Sequence, residues 1–123
     1  MAVLVVDDSK AMRALLKSIL NGAGFEVLEA GDGWEALEHL QRLDNIEAVL
    51  VDWDMPGMDG YEFVRTVRAT PAYRHLPMMM VTAESELEQV AKALAAGADE
   101  YVMKPFTHGA VLEKLNLLDI KTN

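Results

Sequence analysis

Cysteine is absent from this chain of 123 residues. Disulfides, thiolate zinc sites and thiol nucleophiles are therefore excluded. Cations are scarce, with 11 Lys and Arg against 20 Asp and Glu and a formal net charge of −9. Such acidity argues against a general basic face for nucleic acid or for an anionic membrane. It suits a chain that handles a cation or meets a basic partner surface. Long apolar runs are missing too. The longest are strand-sized, such as residues 48–51 and 78–81, and a bilayer needs about 20 apolar residues. The run at residues 3–6 meets Asp7 and Asp8 at once, too soon for the core of a signal peptide. A cytoplasmic protein is expected, with no membrane contact. Repeats, low-complexity tracts and long linkers are also lacking. This length suits one domain over residues 1–123, with no output domain in the chain.

What is present is an alternation. Hydrophobic residues make up 51%, ample for a core. Val3-Leu4-Val5-Val6 is a short β-branched run, as in a buried strand. Met12, Leu15, Leu16, Ile19 and Leu20 then recur with helical period until Asn21-Gly22 and Gly24. Residues 25–30 form a second strand pattern. Asp32 and Glu35 have capping-box spacing ahead of Ala36, Leu37 and Leu40. A third strand covers residues 47–52. Asp59-Gly60 opens a helix carrying Phe63, Val64 and Val67. Residues 78–81 form a fourth strand after Pro77. Ser85 and Glu88 again have capping-box spacing, ahead of Leu87, Val90, Ala91, Leu94 and Ala95, and Gly97 stops that helix. Residues 100–103 form a fifth strand, and Thr107 caps a last helix through Val111, Leu112, Leu115 and Leu118. This fivefold alternation predicts an α/β fold, a doubly wound parallel sheet with helices on both faces.

In such sheets ligands bind outside the carboxyl ends of the strands. Those ends carry Asp7 and Asp8, then Asp52, Thr82 and Lys104. Three carboxylates brought together repel unless a cation joins them. Oxygen donors without histidine or cysteine favour a hard ion such as Mg2+ over zinc or copper. Metal, lysine and hydroxyl together would clamp a phosphoryl group, and an aspartate can attack one. The residues alone leave Asp52 open as nucleophile, ligand, both, or a turn residue. Asp7 and Asp8 alone could equally be a helix N-cap pair.

Four stretches decide between these readings. They are Val5-Val6-Asp7-Asp8-Ser9, the run Val51-Asp52-Trp53-Asp54-Met55-Pro56-Gly57-Met58-Asp59-Gly60, Val81-Thr82-Ala83, and Lys104-Pro105-Phe106. In this order, each at a strand end, they resemble the receiver domain of two-component response regulators over the whole chain, and the chemotaxis type in size and spelling. The resemblance implies a (βα)5 flavodoxin-like domain with strand order 2-1-3-4-5. It implies Asp52 as phosphoacceptor from a histidine kinase or phosphotransfer protein. Asp8 then resembles the direct Mg2+ ligand, with Mn2+ able to replace the ion, and Asp7 a ligand mainly through water. Asp52 and the backbone carbonyl of Asp54 complete the set. Lys104 resembles the phosphate-pairing lysine, before a Pro105 whose peptide bond is typically cis. Thr82 and the Ala83 amide would bind phosphoryl oxygens. Thr82 and Tyr101 resemble the switch pair. Asp54 and Glu84 occupy variable positions that tune dephosphorylation. The surface around the fourth helix, fifth strand and fifth helix would meet a downstream protein. The state would be a monomer or a phosphorylation-dependent dimer. Such a chain catalyses its own phosphorylation and slow dephosphorylation without being a metabolic enzyme.

Parts of this spelling also occur in other families. Asp52-Trp53-Asp54 also spells the D-x-D of haloacid-dehalogenase-type phosphatases. That family carries the motif on its first strand, and Pro56 stands where Thr or Val is usual. A non-phosphorylated interaction domain would lack the intact constellation. A flavodoxin would need a Ser/Thr/Gly-rich loop after the first strand. Met78, Met79 and Met80 are expected in the core. His39, His75 and His108 are expected in solvent, and Trp34 is expected to pack.

Overall fold

Residues 2–120 are described by the computed structural model, with the side chain of Glu84 outside that description. Five strands alternate with five α-helices. They are β1 (Ala2–Val6), α1 (Lys10–Gly22), β2 (Glu26–Ala30), α2 (Gly33–Arg42), β3 (Ile46–Asp52), α3 (Gly60–Ala69), β4 (Met78–Ala83), α4 (Val90–Ala96), β5 (Glu100–Lys104) and α5 (His108–Leu117). All strands are parallel, in the order β2-β1-β3-β4-β5, as the resemblance implied.

Helices on both faces explain the unbroken apolar spelling of the inner strands. Every residue of β1 is buried, as is the 48–52 stretch of β3. One face packs Leu4, Val6, Val49, Val51, Met78 and Met80 against Phe63, Val64 and Val67 of α3. The other packs Val3, Val5, Leu50, Met79 and Val81 against Leu16, Ile19 and Leu20 of α1 and Val111 and Leu115 of α5. The three methionines are core residues, as expected.

Side-chain caps start four of the helices and fix where the loops leave the sheet. Ser9 Oγ accepts from the Met12 amide, and carboxylate or hydroxyl oxygens of Asp32, Asp59 and Thr107 accept from Glu35, Glu62 and Ala110. The Glu35 carboxylate reaches back to the Gly31 amide at 2.6 Å, one residue before the cap. Helix α3 comes so close to the end of β3 that a Cβ on Gly60 would stand 2.5 Å from the Asp52 carbonyl oxygen. Only glycine fits there.

The fourth helix differs from the pattern read in the sequence. Residues Glu84–Gln89 form a 3-10 helix, and the α-helix begins only at Val90, with no side-chain cap. Ser85 and Glu88 are both exposed and make no capping box. The reciprocal contact sits two residues earlier, where the Glu86 carboxylate accepts from the Ala83 amide at 3.0 Å. Two smaller expectations also fail. Trp34 is 64% exposed, because Gly33, Ala36 and Leu40 form the buried stripe of α2 and Trp34 points off it. His39 is half-buried, its Nε2 3.0 Å from the Glu29 carbonyl oxygen.

Candidate functional site

Parallel register assembles the site. Val6 pairs with Val51, so the next residues, Asp7 and Asp52, leave adjacent strands side by side. Asp52 pairs with Val81, which sets Thr82 one step further out. Ala83 pairs with Lys104, closing the row from the other side. Asp7, Asp8, Ser9, Asp52, Asp54, Ala83, Ser85, Glu86 and Lys104 line one cleft of about 320 Å3. A larger cavity, about 670 Å3, lies at the opposite end of the sheet and holds none of these groups.

Asp52 and Asp7 are buried, with 5% and 1% exposure, whereas Asp8 faces solvent. One oxygen from each of the three lies within 4.8 Å of the others. Lys104 Nζ donates to Asp52 Oδ1 at 3.1 Å and stands 3.7 Å from Asp7 Oδ2. The Ser9 amide donates to Asp7 Oδ1 at 2.8 Å, and Arg13 Nη1 to the Asp7 carbonyl at 2.6 Å. Asp7 Oδ2 is buried without a hydrogen-bond partner.

Burial is the largest influence on these groups, since it disfavours charge. It pushes the Asp52 carboxyl up to about 6, with the Asp7 charge adding and Lys104 opposing. It likewise raises Asp7, against the Ser9 amide and Lys104. For Lys104 burial pulls downward. The hydrogen bond and charge of Asp52, then the charges of Asp7 and Glu86, outweigh it, and the net shift is upward. One ammonium thus serves two buried carboxylates, with negative charge left over.

An all-oxygen set, net negative and holding an orphaned buried oxygen, fits a hard divalent cation. A cation would satisfy Asp7 Oδ2 and relieve the repulsion between Asp7 and Asp52.

The remaining sequence-predicted residues are distributed as follows. Thr82 is buried, and its hydroxyl donates to the Ala83 carbonyl at 3.3 Å. The Ala83 amide is already taken by Glu86. Asp54 has an exposed side chain at the cleft. Tyr101 is half-buried against the α3 side of the core, with Lys114 Nζ 5.2 Å from its ring centroid. The Lys104-Pro105 bond is cis. The side chain of Glu84 lies outside the described residues. Trp53 is partly buried, its ring 6.1 Å from that of Tyr61. Sequence reasoning missed Glu86. Its spacing from Ala83 is that of a capping box, but alanine offers no side-chain oxygen and so gives no cue.

Sequence and fold comparisons point to one family. A sequence-family model described as the response regulator receiver domain matches residues 3–116. Chemotaxis protein CheY-3 of Vibrio cholerae is 42% identical over 117 residues, covering 94% of this chain and 89% of that protein. Chemotaxis protein CheY of Pseudomonas aeruginosa is 41% identical over 124 residues, covering 100% and 99%. The solved structure of Vibrio cholerae CheY4 superposes with a TM-score of 0.88 at 38% identity, covering 96% of this chain and 98% of that one.

Proposed function

The chain belongs to the response regulator receiver domain family, and from that premise we propose that Asp52 is the residue that takes the phosphoryl group. Receivers are two-component phosphoacceptors that transduce signals and are not metabolic enzymes. Those like CheY take phosphate from histidine kinases and act on downstream proteins. The observation that carries the assignment is the convergence of Asp7, Asp8, Asp52 and Lys104 at one cleft, with one ammonium bridging two buried carboxylates.

Asp7 and Asp8, with an oxygen of Asp52 and the Asp54 carbonyl, would hold Mg2+. When bound, that ion supplies positive charge that neutralises the phosphoryl oxygens. The chain's own groups do the rest. A carboxylate oxygen of Asp52 attacks phosphorus in line. The N–P bond of the donor phosphohistidine breaks as the O–P bond forms, and the imidazole leaves with the bonding electron pair. Lys104 keeps the acceptor ionised beforehand and pairs with the phosphoryl oxygens afterwards. Thr82 turns its hydroxyl from the Ala83 carbonyl to the phosphoryl group. Tyr101 moves into the space Thr82 vacates, and the surface of α4, β5 and α5 shifts population. A downstream protein reads that surface. Water then hydrolyses the acyl phosphate slowly, at a rate tuned by Asp54 and Glu84. The reading includes a cytoplasmic location; among the described residues no helix is long and apolar enough to cross a membrane.

The test is intact-protein mass after incubation with acetyl phosphate and Mg2+, beside an EDTA control and Asp52→Asn. A single labile adduct that needs Mg2+ and Asp52 is expected. An adduct that survives Asp52→Asn would move the acceptor elsewhere.

A further inference from the structure

The Ala83 amide is the backbone donor that the proposed phosphoryl group would use. It is occupied by an acid of the same chain. Glu86 Oε1 accepts from it at 3.0 Å. Glu86 is half-buried and lines the same cleft as Asp52 and Lys104. Its charge reaches both: it adds to the upward push on Asp52, behind burial and Asp7, and helps hold Lys104 charged.

We infer that Glu86 is a positioning residue of the phosphoryl site, an internal anion that holds the Ala83 amide and is displaced when the phosphoryl group arrives. The inference rests on the function proposed above. One N–H makes one strong hydrogen bond, and two anions drawn to it repel each other. The incoming group therefore competes with the Glu86 carboxylate for the donor. The competition also has a structural output. Glu86 lies within the 3-10 stretch Glu84–Gln89, which leads directly into α4 without a side-chain cap. Its contact to Ala83 ties that stretch to the end of β4. Breaking the tie leaves residues 84–89 free to rewind, and their movement passes into the α4 surface. In the resting chain Glu86 thus opposes phosphorylation and pins the start of α4 with the same bond.

The experiment uses the full chain, Mg2+ and beryllium trifluoride, a noncovalent anion that mimics a phosphoryl group on a carboxylate. Tryptophan fluorescence gives the half-saturating concentration, and thermal melting is followed in parallel. Glu86→Ala removes both the occupant and its charge, and binding should tighten about tenfold. Glu86→Gln keeps a neutral acceptor for the amide and removes the charge, so it should tighten by an intermediate factor with little change in melting. Unchanged or weaker binding in both variants, with a lower melting temperature in Glu86→Ala, would make Glu86 a cap and overturn the inference. Should Glu86→Ala fail to fold, Glu86→Gln decides alone. Asp52→Asn separates the two readings. If it binds the anion as well as the unaltered chain does, or if neither binds, the phosphoacceptor reading falls and this one with it.

Discussion

Lys104 Nζ sits 3.1 Å from Asp52 Oδ1, joining the last residue of β5 to the last residue of β3. It is the one cation among the described residues that is ion-paired to Asp52. A divalent ion drawn to the same carboxylates would share them with this ammonium. Lys104→Met should therefore bind Mg2+ more tightly, on the order of tenfold. The same change should slow phosphoryl acceptance from acetyl phosphate on the order of a hundredfold, because the counter-charge for the phosphoryl oxygens is gone. A Mg2+ titration by fluorescence and adduct formation by mass, run on the same sample, check both directions.

The Asp52 carboxyl titrates at about 6 in the folded, metal-free chain, against 3.8 for a free aspartate. The folded state therefore holds its proton more strongly than the unfolded state does. This group's stabilising contribution is fully present below about pH 4 and is lost as pH rises through about 6. Burial raises Asp7 in the same sense. Asp52→Asn should add about 2 kcal/mol of stability near neutral pH in EDTA, and nearly nothing below about pH 4. Denaturant melts across this range are the measurement; an equal gain at every pH would contradict the assignment.

Mg2+ binding should weaken as pH falls through about 6, since a protonated Asp52 is a poor ligand. Asp8→Asn should weaken it at all pH values, on the order of tenfold or more. Asp7→Asn replaces a carboxylate whose Oδ2 has no hydrogen-bond partner and only a long ion pair to Lys104, and should weaken Mg2+ binding while leaving the metal-free chain as stable as before, or more so. Calorimetric titration of the two variants distinguishes these effects.

Gly60→Ala should act on fold and site together. The added carbon meets the Asp52 carbonyl, Met80 and the Trp53 backbone, so α3 has to retreat from the end of β3. A loss of about 1–3 kcal/mol is expected, with slower phosphoryl acceptance because the backbone of the proposed acceptor itself is displaced. An equally destabilising change far from the cleft, such as Val111→Ala, should leave acceptance unaltered and serves as the comparison.

Much of this arrangement was legible because it is written in short range. Apolar runs and period-3.6 patterns marked all five strands and all five helices, the fourth with too early a start, and the acids, hydroxyl and lysine stood at strand ends where a parallel sheet gathers them. The strand order came from likeness to a family, since no residue pattern dictates which strands pair. What escaped notice lay in three dimensions. The apolar spacing of Leu87, Val90 and Leu94 reads as one long helix, yet the backbone winds as 3-10 up to Gln89, where Glu86 holds Ala83. Ser85 and Glu88 imitate a capping box better than Ala83 and Glu86 do, because alanine has only its backbone to offer. Trp34, expected to pack as a helix residue, lies off the buried stripe of α2 and is exposed.

The cis bond apart, everything that makes Lys104 useful depends on β5 having docked. Asp52 and Lys104 are 52 residues apart in the chain, and β5 is the last strand to be synthesised. Without that strand in place, Asp7 and Asp52 would have no ammonium beside them. The pairing of β5 with β4 is what supplies a counter-charge to the two buried carboxylates. Any local opening that releases β5 from β4 therefore also takes the ammonium away from the proposed acceptor.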